Sequence, residues 1–275
     1  MESVKVPEAQ EWVGDWKVVE KFNASKDLKM GTEDGMFIGK NFAVVLDGVS
    51  SFKDKDINGR KYGQFTVDAA IAALNKPEAV DLKADEIVPY LTSHIAAALE
   101  KAKSEGAYAP DDKHDAPNFV FIAFFPKENC MIRVGDCMYL VDGVGNNLGI
   151  PADLRKTEMG KRIIEVHEKK GQPLSDAERT TLRNDLVEWL WKHRNQTNGT
   201  YGYGAIDGTP VPEKYVEKIL IDPKEKVVIS SDGWAEALAM SLMQSNENAR
   251  RMLNDPLQKG KFPFDDITSV GFVRT

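Results

Sequence analysis

Apolar and polar residues alternate along this chain with two different periods. Phe42 to Leu46 (FAVVL), Phe119 to Phe125 (FVFIAFF) and Val227 to Ile229 (VVI) are unbroken apolar runs. Runs this short read as strands buried on both faces. Trp12 to Phe22 mixes alternating and β-branched residues and reads as a first strand. Met131 to Val134, Met138 to Val141 and Ile267 to Val273 are further strands. Helical spacing appears where Val67, Ala70, Ile71 and Leu74 share a face. It recurs at Ile87, Leu91, Ile95, Ala98 and Ala102. Lys156 to Arg194 is also helical in pattern: Ser175-Asp176-Ala177-Glu178 is a capping box, with Leu182, Leu186, Trp189 and Leu190 as the stripe behind it. Trp234 to Gln244 is a last helix.

These elements come in blocks. The strands ending at Phe125, Val134 and Val141 follow one another across short turns, Pro126 to Asn129 and Gly135-Asp136, which predicts an antiparallel meander. Grouped strands and helices predict an α+β layered sandwich rather than a doubly wound sheet. No repeat, low-complexity segment or linker divides the chain, so residues 1–275 read as one domain.

Composition narrows the function classes. The chain has 275 residues, 42% hydrophobic, enough for a substantial core. Its formal net charge of -7 argues against a general nucleic-acid binder. Cys130 and Cys137 lie in apolar segments and read as small buried hydrophobes, not as a disulfide framework or zinc motif. His94, His114, His167 and His193 are scattered, with no ligand spacing. Neither an apolar signal core nor a bilayer-length apolar stretch is present, and the expected setting is cytoplasmic, away from membranes.

The candidate chemistry lies in the carboxylates. Asp-Gly occurs five times, at Asp34, Asp47, Asp142, Asp207 and Asp232. Such a pair is ordinarily a turn, and Asp142-Gly143 fits that reading. Asp47 and Asp232 differ, because each closes a buried apolar run, where an unpaired carboxylate is expensive. Glu33-Asp34 and Asp265-Asp266 stand just before strands. Carboxylates from distant parts of the chain that meet at strand ends form a hard oxygen site, which suits Mg²⁺ or Mn²⁺.

The ordered set Lys29-x-x-Thr32-Glu33-Asp34, FAVVLDG, VGDCMYLV, VVISSDGWAEAL and DDITSVGF spans about Lys29 to Phe272. It resembles the type 2C, metal-dependent serine/threonine protein phosphatases (PPM), in a divergent bacterial form. The resemblance implies an α-β-β-α sandwich of two antiparallel sheets flanked by helices, with two Mn²⁺ or Mg²⁺ ions at one edge. Asp47 would bridge both ions. Asp232 and Asp265 would complete one site, and Glu33 and the Gly48 carbonyl the other. Asp34 would orient metal-bound water, and Asp136 would help hold a weaker third ion. Lys29 stands where an arginine usually grips substrate phosphate. The implied activity is hydrolysis of phosphoserine and phosphothreonine in a protein substrate, in signalling with a cognate kinase. The helical stretch at about 153–200 falls where the family carries a variable flap.

The chain departs from the family pattern at Lys29, Thr32, Val49, Ser50-Ser51, Asn118-Phe119-Val120 and Cys137-Met138. Two alternatives stand beside catalysis: a phosphatase-like binding module, and a phosphoesterase acting on a small metabolite. Phe52 to Lys61 reads as a charged loop or a substrate-recruiting rim. Asn198 to Gly208 (NGTYGYGAIDG) reads as a tight turn and strand, with Asp207 a candidate supporting group.

Overall fold

The two longest apolar runs pair as neighbouring strands. The computed structural model describes residues 12–24, 31–49, 55–109, 116–146, 156–157, 160–161, 175–222, 226–232 and 266–274. Among them β3 (Gly35–Ile38), β4 (Ala43–Val49), β7 (Asn118–Phe125), β8 (Cys130–Val134) and β11 (Val216–Leu220) form a five-stranded sheet ordered β11-β8-β7-β4-β3. A six-stranded sheet, β1-β2-β13-β12-β9-β10, contains β1 (Trp12–Val13), β2 (Trp16–Ala24), β9 (Met138–Val141), β10 (Val144–Asn146), β12 (Lys226–Ser230) and β13 (Ile267–Arg274). Every ladder is antiparallel. A short hairpin, β5 (Asp56–Ile57) and β6 (Arg60–Lys61), precedes helix α1 (Tyr62–Leu74). Helix α2 (Ile87–Ser104) follows, and α3 (Asp176–His193) comes late in the chain.

Side-chain parity explains the unbroken runs. Val44 and Leu46 on β4, with Phe119, Phe121, Ala123 and Phe125 on β7, face α1 and α2. Ala43 and Val45, with Val120, Ile122 and Phe124, face the second sheet, where they meet Val227, Ile229, Val270 and Phe272. The five-stranded sheet is thus covered on both sides, so its central strands have no polar face. Phe42 and Phe125 stack at 5.2 Å between ring centroids, and Trp16 meets Phe124 edge-on at 5.5 Å. Each such side chain contributes about 1.5–3 kcal/mol by burial.

The architecture agrees with an α+β sandwich: helices α1 and α2, then two antiparallel sheets. The helix expected over Trp234 to Gln244 lies outside the described residues. Helix α3 starts at Asp176, directly after the Ser175 that the capping box marks as N-cap. Among the described residues no helix is long and apolar enough to cross a membrane.

Three expectations are corrected. The meander does not form: β7 and β8 pair, but β9 joins β12 in the other sheet. Gly135-Asp136 is therefore a crossing between sheets and not a hairpin turn. Second, β4 does not stop at Leu46 but runs through Asp47 and Gly48, which pair with Val120 and Phe119. Third, residues 56–61 are a hairpin. Asn58 and Gly59 (φ +54° and +75°) supply the two positive φ values that a tight two-residue turn requires.

Candidate active site at the edge of the sandwich

Strand parity carries Asp47 to the space between the sheets. It continues the Ala43, Val45 series of β4, so its side chain points to the facing sheet, at the edge where the core ends. Its exposure is 9%, and its Oδ2 accepts the backbone N–H of Asp232 at 3.2 Å. That bond joins the end of β4 in one sheet to the end of β12 in the other. Asp232 itself is exposed to solvent.

Gly48 has the opposite parity and faces α1. A Cβ built there would lie 2.3 Å from the Glu33 carbonyl oxygen and 2.9 Å from the Gly63 carbonyl carbon. A Cβ on Gly63 would likewise lie 2.6 Å from the Gly48 carbonyl carbon. Three backbones therefore touch: the loop before β3, strand β4 and the first turn of α1. Only glycine permits this approach. Gly48 N–H also donates to Asp34 Oδ1 at 3.3 Å, and Asp34 N–H donates to Thr32 Oγ1 at 3.0 Å.

Glu33 is 2% exposed. Its backbone N–H donates to Asp266 Oδ2 at 2.6 Å, tying the loop before β3 to the start of β13. Lys61 Nζ stands 3.8 Å from Glu33 Oε2. Beneath Asp266 the inner face turns polar: Ser231 and Thr268 are fully buried, with Thr268 N–H donating to Ser231 Oγ at 2.9 Å.

Asp136 sits in the crossing from β8 to β9. Gly135 (φ +92°) makes that bend, with Val120 packed against its α-carbon so closely that a Cβ would lie 2.3 Å from Val120 Cγ1. Arg133, 7% exposed, holds the other side. It donates to the Cys137 carbonyl at 3.0 Å, pairs with Glu217 on β11 through Nε at 2.9 Å, and lies 5.6 Å from the Tyr139 ring centroid.

Two buried groups are held protonated by their surroundings. Burial pushes the Cys137 thiol well above its usual range. Asp47, Asp136, Asp232 and Asp34 add to the shift in that order. Burial likewise raises the Tyr203 phenol, helped by Asp136, Asp47 and Asp232. A nearby negative charge disfavours ionisation of a buried acid, so these carboxylates reinforce the effect of burial. Among the described residues no three or more Asp, Glu, His or Cys side chains are grouped so that they could hold a metal ion. Asp265 and Lys29 lie outside the described residues.

A bacterial serine phosphatase superposes with a TM-score of 0.55 at 10% identity, over 93% of this chain and 97% of that one. The PPM Ser-Thr phosphatase MsPP from Mycobacterium smegmatis, solved with cacodylate, gives 0.53 at 14%, over 93% and 98%. The catalytic domain of the serine/threonine phosphatase PstP, solved with two manganese ions, gives 0.53 at 15%, over 92% and 96%. The chain has the PPM phosphatase fold. No protein-family model matches its sequence. No curated protein matches it either.

Within the PPM fold, the structure joins Asp34 to Gly48 and Asp232 to Asp47 by hydrogen bonds, sets the Glu33 backbone against Gly48, and places Asp136 in the crossing from β8 to β9. Asp142 is a turn residue: its φ is +48° and its Oδ1 accepts the Lys226 N–H at 2.8 Å. Asp207 is taken up by structure. It pairs with Arg194 Nε at 2.9 Å, both side chains buried, and accepts the Thr209 N–H at 2.9 Å. The stretch Asn198 to Gly208 makes isolated bridges, Arg194 with Tyr203 and Phe119 with Ile206, and no strand. Its Gly202 and Gly204 leave room for the Tyr215 ring, whose hydroxyl oxygen would be 1.4 Å from a Cβ on Gly202.

Sequence reasoning missed Lys61, Arg133 and Tyr203. A cation inside the apolar run CMIRV was a visible signal for Arg133, since a buried guanidinium needs specific partners. Asn58-Gly59 would have placed Lys61 at the foot of α1. Nothing local marks Tyr203.

Proposed function

We propose that this chain is a metal-dependent phosphatase that hydrolyses phosphoserine and phosphothreonine monoesters of a phosphorylated protein. The observation that carries the reading is the Asp47 to Asp232 bond across the two sheet edges, with Asp34 and the Glu33 backbone held against Gly48, at the edge of a sandwich of the PPM fold. Carboxylates packed together repel one another unless a cation lies among them. The donor set is all oxygen and suits Mn²⁺ or Mg²⁺. Glu33, Asp47, the Gly48 carbonyl, Asp232 and Asp265 would hold two ions, and Asp136 a weaker third. Two such ions would lower the pKa of a water and offset the charge that builds up in phosphoryl transfer. The touching backbones of Gly48, Gly63 and Glu33 fix the donor positions, and the Asp47 to Asp232 bond keeps the two sheet edges in register. Asp34, bonded to Gly48 N–H, would orient a water against the phosphorus. Lys29 would bind substrate phosphate, and the 153–200 region would act as a flap over the bound protein. A cognate serine/threonine kinase and a cytoplasmic setting complete the proposal.

The test is hydrolysis of p-nitrophenyl phosphate and a phosphoserine peptide with Mn²⁺ and with EDTA. Mn²⁺-dependent turnover is expected, with Asp47→Asn losing at least about 10²-fold in rate and Asp142→Asn nearly unchanged. Full activity in chelator, or equal mild effects of both substitutions, refutes the assignment.

A further inference from the structure

Lys61 lies where the β5–β6 hairpin runs into α1. Its ammonium is 3.8 Å from Glu33 Oε2, with the lysine side chain 32% exposed and the glutamate side chain 2%. Three features fix it there. Ile57 is fully buried and anchors the hairpin in the core under α1. The Asn58-Gly59 turn sets the register that pairs Lys61 with Asp56. Gly63, two residues on, rests against Gly48. The neighbouring Arg60 is occupied elsewhere, 3.2 Å from Asp68. Lys61 is thus directed to an acid assigned above as a metal ligand, while part of its stem and head remains open to whatever approaches the site.

We propose that Lys61 serves two successive partners: it neutralises Glu33 in the metal-free protein and, when a divalent cation takes that carboxylate, it turns to the phosphoryl oxygens of the anionic substrate. The inference rests on the phosphatase reading. A carboxylate shared by an ammonium and a divalent ion places two positive charges a few ångströms apart, and the one on a flexible tether yields. Lysine suits the move, because its compact charge rides on four rotatable carbons and carries three donors. An arriving phosphate monoester then gives the displaced ammonium a new counter-charge. Lys61 therefore opposes metal binding and favours substrate binding, two effects of opposite sign from one residue.

The full-length chain and its Lys61→Met and Lys61→Arg variants test this. Calorimetric titration with Mn²⁺, without substrate, should show Lys61→Met binding about five- to tenfold more tightly, within the usual range of site coupling. Lys61→Arg should stay near wild type. On p-nitrophenyl phosphate, Lys61→Met should raise KM about tenfold and change kcat much less, the pattern of lost ground-state binding, and Lys61→Arg should restore KM. Mn²⁺ affinity that is unchanged or weaker in Lys61→Met overturns the first role, and unchanged KM overturns the second. If Lys61→Met does not fold by circular dichroism, Lys61→Gln replaces it under the same criteria. Wild-type protein that hydrolyses no phosphomonoester refutes the phosphatase reading and the second role together, and the Mn²⁺ titration still decides the first. Mn²⁺-dependent turnover with both constants unchanged in Lys61→Met refutes this inference alone.

Discussion

Replacing Gly48 by alanine probes the backbone contact on which the candidate site is built. The new Cβ would begin 2.3 Å from the Glu33 carbonyl oxygen and 2.9 Å from the Gly63 carbonyl carbon. Ordinary contact requires an opening of about 1 Å. All the atoms it meets are backbone, so no side-chain rotation relieves the clash. Either β4 moves away from α1 or the Glu33-Asp34 loop moves outward. Overpacking in a core costs about 1–3 kcal/mol, and a rigid contact belongs at the upper end, about 3 kcal/mol. Displacing Glu33 and Asp34 by about 1 Å should lower Mn²⁺-dependent turnover by about 10²-fold. Urea unfolding measures the first quantity and p-nitrophenyl phosphate hydrolysis the second. Gly59→Ala is the control. Its φ is +75° but nothing lies within 4 Å of its Cβ, so it should lose about 1 kcal/mol from backbone strain and keep its activity. A Gly48→Ala protein with the stability and rate of the Gly59→Ala control would show that the three backbones do not touch as described.

Asp207→Ala should destabilise the fold by about 3–5 kcal/mol, because it leaves the buried Arg194 guanidinium without its carboxylate. The double change Arg194→Met with Asp207→Leu should recover much of that loss in the same urea titration. Cys137 should not react with a thiol reagent in the native protein at pH 7 and should react in denaturant, since it is buried and its thiol is held protonated. The folded thiol ionises at higher pH than the unfolded one, so its stabilisation is complete below the usual value of 9.0 and is lost as pH rises from there toward the folded value. Denaturant midpoints measured from pH 8 to pH 10.5 should fall in that window for wild type, and fall less for Cys137→Ala.

How legible the molecule was in its sequence depended on whether local pattern or long-range pairing decided the outcome. The strands at FAVVL, FVFIAFF and VVI were readable because burial on both faces removes every polar position. The acids at their ends were readable for the same reason, since Asp47 follows five apolar residues. Sheet membership was not. Met131 to Val134 and Met138 to Val141 look like consecutive arms of a meander, and nothing between them but Gly135 announces that the chain changes sheets. That crossing is decided by Val120, fifteen residues earlier in sequence, and by Arg133 reaching to Glu217. The strands Gly35–Ile38 and Val216–Leu220 escaped notice because all their positions but Gly35 are exposed or partly so. The charged residues 56–61 concealed a hairpin whose turn residues were in plain view.

The junction after α3 gives the molecule a cooperative seam. Asn195 exchanges bonds with Ala205 in both directions, through Nδ2 to the carbonyl at 2.8 Å and from the N–H to Oδ1 at 3.1 Å. Its backbone N–H reaches the Tyr203 carbonyl at 2.8 Å, and Arg194 adds a bond to the Ala116 carbonyl at 3.2 Å. Ile206 in turn bridges Phe119 at the start of β7. The end of α3, the glycine-rich stretch and the β7 terminus therefore share their amide protection. In a hydrogen-exchange experiment these amides should open as one unit, with a free energy set by the Arg194 to Asp207 pair rather than by helix propensity. The same bonds tie the end of α3 to Tyr203, whose phenol is held protonated by burial and by Asp136, Asp47 and Asp232.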